Sequence, residues 1–192
     1  YDSYVSYRLY LDELSRVQRE LGAEAIQFTP LPVFFDRPGF IEPNIEHVRD
    51  ALAQLPADAH IAFTAHSIPT EMAENSPYVP QLLHVAREIS AAVGNDRWEL
   101  VYQSRSGNPR QPWLEPDISD HLETLAAQGV KNVVIAPIGF ISDHMEVVYD
   151  LDTEARQKAD SLGITIARAK TVGTHPRFVQ MIREMVREAR DW

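Results

Sequence analysis

The chain holds 192 residues, enough for one medium domain with a real hydrophobic core. Apolar residues make up 44% and charged residues 24%, and no segment is Gly/Ser-rich or low in complexity, which excludes the disordered and fibrous classes. The 18 Lys plus Arg stand against 28 Asp plus Glu for a formal charge of -10, and the basic residues are scattered instead of forming a stripe, so no nucleic-acid partner is expected.

From Tyr4, the apolar residues Tyr7, Leu11, Leu14 and Leu21 recur at helical spacing and Gly22 ends the pattern, which predicts an amphipathic helix. Ala25-Ile26-Gln27-Phe28 has the composition of a strand start. Pro30 and Pro32 cannot donate to a sheet ladder, however, so the segment up to Gly39 is expected as an edge strand or a strand running into a loop. Pro43 is expected to start the second helix, with Ile45, Val48, Leu52 and Leu55 on one face.

Four short apolar runs then read as buried strands: Ile61-Ala62-Phe63-Thr64, Trp98-Glu99-Leu100-Val101-Tyr102, Val133-Val134-Ile135-Ala136 and Ile164-Thr165-Ile166-Ala167. Helical patterns lie between them, from Val79 to Gly94, from Ile118 to before Gly129, and from Met145 through Leu162 to Gly163. A last helix is expected from Pro176 to about Arg190. Apolar strands alternating with helices predict parallel pairing with both faces covered: a doubly wound, three-layer αβα fold of class α/β on a four-stranded parallel sheet.

In such a sheet, ligands bind outside the carboxyl ends of the strands. The loops there carry His66 after the first strand, Ser104 and Arg105 after the second, and His144 with Glu146 after the third. No Gly-x-Gly-x-x-Gly or Walker A pattern supplies a phosphate cradle, and Ser67 beside His66 lacks the context of a nucleophile elbow. The chain contains no cysteine, so any metal must be held by His, carboxylate or water.

His with carboxylate binds first-row divalent metals or moves protons near neutral pH. His66 reads either as such a group or as a core imidazole bonded to backbone. Glu146, Asp150 and Glu154 recur every four residues and share one helix face, as a path or site for a hydrated cation or simply as a solvated face. His144 is read as a residue that positions a ligand rather than as a ligand itself. Trp113, at the end of a stiff loop with Arg105 and Arg110, suits stacking on a flat conjugated ligand or plain packing.

No apolar run is long enough to span a bilayer and no signal pattern opens the chain, which makes a cytoplasmic location the expectation while leaving peripheral membrane contact open. The sequence begins at Tyr1 directly in a helical pattern, and the natural polypeptide is expected to be longer on that side.

Three ordered segments carry a resemblance. Residues 63–69 (Phe-Thr-Ala-His-Ser-Ile-Pro), residues 103–107 with 111–116, and residues 137–152 (Pro-Ile-Gly-Phe-Ile-Ser-Asp-His-Met-Glu-Val-Val-Tyr-Asp-Leu-Asp) are similar to the signature segments of the ferrochelatases. The similarity looks closest to the bacterial coproporphyrin III branch.

The resemblance implies two similar lobes around a porphyrin cleft and ATP-independent insertion of ferrous iron. It implies that residues 1–45 are the remnant of an N-terminal lobe, that 46–175 form the metal-handling lobe, and that 176–192 are a C-terminal helix. His66 and Glu146 become the facing catalytic and metal pair, with His66 as a metal ligand or an acceptor of pyrrole protons. Asp150 and Glu154 extend the metal line, and Ser104, Arg105, Trp113 and His144 are candidate porphyrin contacts. Porphyrin and Fe(II) are then the substrates, the missing lobe is a partner, no cofactor is required, and no Cys-ligated iron-sulfur cluster can form on this chain. A small metallohydrolase built on His66, His144 and Glu146, or a non-catalytic metal- or tetrapyrrole-binding module, are the alternatives.

Overall fold

The computed structural model describes residues 1–23, 26–108 and 110–190. A π-helical stretch, Tyr4–Arg8, runs into α1 (Leu9–Glu20), and α2 (Pro38–Leu52) precedes β1 (His60–His66). Two helices, α3 (Thr70–Glu74) and α4 (Tyr78–Val93), lead to β2 (Trp98–Gln103), and α5 (Ile118–Ala127) leads to β3 (Asn132–Ala136). Then come α6 (Met145–Val147), a π-helix (Val148–Glu154), α7 (Ala155–Leu162), β4 (Thr165–Arg168) and α8 (Pro176–Arg190).

All strand pairs are parallel and the order is β2-β1-β3-β4. The strand period of two sorts the core into two layers. Ile61, Phe63, Val134 and Ala136 point into the layer that holds Phe40, Val48, Leu82 and Phe178, contributed by α2, α4 and α8. Ala62, Val133 and Ile135 point the other way, onto Leu122, Val147, Leu151 and Ala155 of α5, α6, the π-helix and α7. The predicted doubly wound α/β sandwich is the fold observed.

Three expectations change. Ile26, Gln27 and Phe28 form no strand; the prolines that follow remove the donors a ladder needs, and Ala25 lies outside the described residues. The second helix starts at Pro38, not Pro43, because Arg37 is extended (φ -80°, ψ 140°) and hands the first helical position to the earlier proline. Pro43 lies inside the helix, where Gly39's carbonyl cannot receive a helical N–H from it. The helix expected from Met145 to Leu162 is three pieces, of which the middle one winds i→i+5.

Ser3 caps the opening helix through a reciprocal pair with Ser6, and Gly22 ends it at φ 59° as expected. None of the residues from Tyr4 to Glu20 is buried; of the predicted apolar face, Tyr7 and Leu11 are half-buried while Leu14 and Leu21 are exposed. Residue 45, where the sequence reading divides two lobes, falls within α2.

At the amino end of the sheet, His60 Nε2 lies 3.3 Å from His121 Nε2. Burial, then the neighbouring His121 and Arg97, holds His60 down to about 4, and burial also lowers His121 against the pull of Glu99. Between about 6.5 and about 4 the unfolded chain therefore binds protons that the folded chain refuses, and stability falls as pH falls through that window. The unfolding midpoint is expected to drop across this range and to drop less in His60→Gln. Equal slopes in the two proteins would contradict the assignment.

Candidate functional site

The chain leaves β1 for β2 on one side and returns to β3 on the other, so the loops after β1 and β3 part at the sheet's switch point. The loop after β3 crosses directly over the end of β1. Gly139 donates its N–H to the Thr64 carbonyl at 3.0 Å, and a Cβ on Gly139 would lie 2.6 Å from both Cα and Cβ of Ala65. Only glycine permits that approach.

His66, the last residue of β1, continues the face of Ala62 toward the layer in which the segment after β3 sits. Its Nδ1 lies 2.6 Å from the Ser67 carbonyl, which only accepts, so Nδ1 carries the proton and Nε2 turns outward. Nε2 lies 3.1 Å from Oε1 of Glu146, with both side chains partly exposed. Tyr78 donates its hydroxyl to the His66 carbonyl at 3.0 Å and so fixes the backbone that carries the ring.

With Nδ1–H donated to Ser67, Nε2 is the ring atom that faces the carboxylate. Two acceptors at this distance are stable together only with a proton or a cation between them.

His66, though not Glu146, lines a cavity of about 660 Å³, together with Trp113, His144, Phe140 and an aromatic group from far away in sequence. In that group Tyr1 packs on Phe35, Phe40 and Tyr78 and donates its hydroxyl to the Ile138 carbonyl at 3.0 Å. Burial, then Tyr78 alongside, pushes the Tyr1 hydroxyl well above the usual phenol range, so it stays a donor. His144 stands edge-on to Phe140, with ring centroids 5.5 Å apart. Trp113 lies against Gly107, and its Nε1 is buried with no partner among the described residues.

Tyr1, Phe34, Phe35, Phe40 and Tyr78 were not among the expected site residues. The only hint of them in the sequence is a cluster of aromatics around prolines, in a stretch without periodicity.

Asp150 and Glu154 open onto a second, smaller pocket of about 250 Å³, shared with Ser104, Arg105 and Asp117. Asp150 accepts from Gln103 Nε2 at 3.2 Å and from the Ser104 hydroxyl. Ser104 itself holds φ 61°, uncommon for a non-glycine residue. Arg105 lies 3.7 Å from Glu115. Among the described residues no three His, Asp or Glu side chains are placed to hold one ion, so His66, His144 and Glu146 do not make a three-ligand centre. His66 with Glu146 and Asp150 with Glu154 are two separate groups, the second anchored through the end of β2.

The profile of the ferrochelatase family matches residues 1–190. The chain is 49% identical to a protein of Streptomyces coelicolor over 98% of this chain and 56% of that protein, and 48% identical, with the same coverage, to one of Streptomyces griseus. A Nocardia farcinica protein is 46% identical over 98% of this chain and 57% of its own length. All three are named coproporphyrin III ferrochelatase, and the chain spans about half the length of these curated relatives.

Because the loop that carries His144 and Glu146 rests on backbone contact at Gly139, Gly139→Ala should force it off β1. The expected cost is about 1–3 kcal/mol of stability, read as a lower unfolding midpoint. A midpoint equal to that of the unsubstituted chain would show that the loop yields freely and does not set the site.

Proposed function

Because the chain belongs to the ferrochelatase family, we propose that the full-length protein inserts ferrous iron into a porphyrin in the cytoplasm without nucleotide hydrolysis, with coproporphyrin III the first candidate from the names of its relatives. Insertion exchanges two pyrrole N–H protons for one Fe(II), so the site must strip water from the ion and receive protons close to the ring centre. The observation that carries the reading is the 3.1 Å pair of His66 Nε2 and Glu146 Oε1, in which His66 also lines the cavity.

In this reading Ser67 holds the tautomer that turns the Nε2 lone pair outward, and Glu146 brings the negative charge that attracts the ion or a departing proton. The aromatic surface of the cavity suits a flat conjugated ring, with Trp113 and His144 contacting it and Ser104 and Arg105 set further along. Asp150 and Glu154 serve as an outer station for the ion, with Asp150 held by Gln103 and Ser104 at the end of β2. The rest of the longer polypeptide supplies the opposite wall, which excludes water and bends the macrocycle so that its nitrogen lone pairs are exposed.

The test is anaerobic insertion by the full-length protein, followed through the porphyrin's Soret band. His66→Ala is expected to lower turnover by about 100-fold or more while the unfolding midpoint changes little. Glu146→Gln, which keeps shape and removes charge, should lower turnover to a similar degree and leave porphyrin affinity intact. Asp150→Asn and Glu154→Gln should act mainly on the apparent affinity for iron. The 192 residues alone should fold and insert far more slowly than the full-length protein. Unchanged turnover in His66→Ala would overturn the assignment of the pair.

A further inference from the structure

Arg168 ends β4, two strands away from His66, and its side chain is only 15% exposed. Its guanidinium reaches back under the segment that carries Glu146. One amino nitrogen, Nη1, lies 2.9 Å from Oδ1 of Asp143, and Nε lies 2.6 Å from Oδ1 of Asp152. Asp143 immediately precedes His144 and Asp152 follows Leu151, so a single cation clips together both ends of the stretch that holds His144, Glu146 and Asp150.

That stretch has little local support of its own. α6 is three residues long, its N-cap His144 makes no side-chain capping bond, and the helix that continues it has the poorer i→i+5 winding. Val147 and Leu151 bury its inner face in the core, and its polar face is held by contacts from elsewhere in the chain. The Gly173 N–H donates to the Ile141 carbonyl at 2.8 Å on one flank, and Arg168 holds the two aspartates. The segment also gathers Asp143, Glu146, Asp150, Asp152 and Glu154 within twelve residues, and the fixed fork of a guanidinium is suited to binding two carboxylates from different nitrogens at once.

We infer that Arg168 is a positioning residue for Glu146: by tying Asp143 to Asp152 it holds the carboxylate where it faces His66. The inference rests on the insertion activity proposed above for its kinetic consequence, while the geometric claim is independent of that activity.

In the full-length protein, Arg168→Gln is expected to lower kcat for iron insertion by about 10- to 100-fold and to leave the KM for porphyrin within about twofold, since Arg168 does not line the cavity. Arg168→Lys should recover part of the loss, because an ammonium can pair with one aspartate at a time. Asp143→Asn, which leaves the Asp152 contact in place, should cost less than Arg168→Gln and add little to it in the double variant. Backbone amides of residues 143–152 should exchange with solvent faster in Arg168→Gln than in the unsubstituted protein.

A kcat within twofold of the unsubstituted enzyme, or a fall in kcat matched by porphyrin KM with no rescue by lysine, would overturn the role. Should the unsubstituted protein insert no iron, the functional reading fails, and amide exchange still decides Arg168: unchanged exchange across 143–152 refutes the clip.

Discussion

The hydrogen bond from Gly139 to the Thr64 carbonyl, made across a contact that has no room for a side chain, is the constraint from which the rest of the site follows. Parallel pairing sets Ala136, the last residue of β3, beside Phe63, so β1 runs three residues further to His66 and the strands alone do not bring His66 and Glu146 together. The loop after β3 has to bend back over β1, and it does so only where a glycine lets backbone touch backbone. Just before that point the chain is held at Ile138 by Tyr1, and beyond it at Ile141 by Gly173 and at Asp143 by Arg168, so the carboxylate arrives opposite the imidazole on a loop fixed at four places.

The chemistry of the pair comes from hydrogen-bond accounting. Ser67 occupies the donor of the imidazole, and Glu146 supplies a second acceptor where a donor would be the stable neighbour. An apposition of this kind costs free energy when empty and is relieved by a proton or a divalent ion. His66 also lines the cavity, whose walls include Tyr1, Phe34, Phe35, Phe40, Trp113 and Phe140. Glu146, with about half its side chain exposed, also stays within reach of solvent.

Much of this was legible in the sequence because strands buried on both faces appear as bare apolar runs. Ile61 to Thr64 and Val133 to Ala136 stand out for that reason, and of the loop residues expected around one crevice, His66 and His144 line the larger cavity while Arg105 lies at the smaller pocket. The aromatic wall was not legible. Tyr1, Phe34, Phe35 and Phe40 come from a stretch whose order depends on packing against α4 and α8, with no period for a pattern to follow. The π-helix was equally hidden, since residues four apart stay near one face under either winding. That Gln103, the last residue of β2, and Ser104 after it donate to Asp150 is a link that the four-residue spacing of the carboxylates does not reveal. The start at Pro38 in place of Pro43 turned on the extended backbone of Arg37, a choice that the spacing of prolines does not reveal.

The claim that the Nε2 of His66 and the carboxylate of Glu146 share a cation is tested most directly by anomalous diffraction from crystals of the full-length protein soaked in a divalent transition-metal ion. The account predicts a peak within bonding distance of both His66 Nε2 and Glu146 Oε1, with Nδ1 still against the Ser67 carbonyl, and its loss in Glu146→Gln. A peak confined to Asp150 and Glu154, with His66 and Glu146 bare at the same ion concentration, would contradict it.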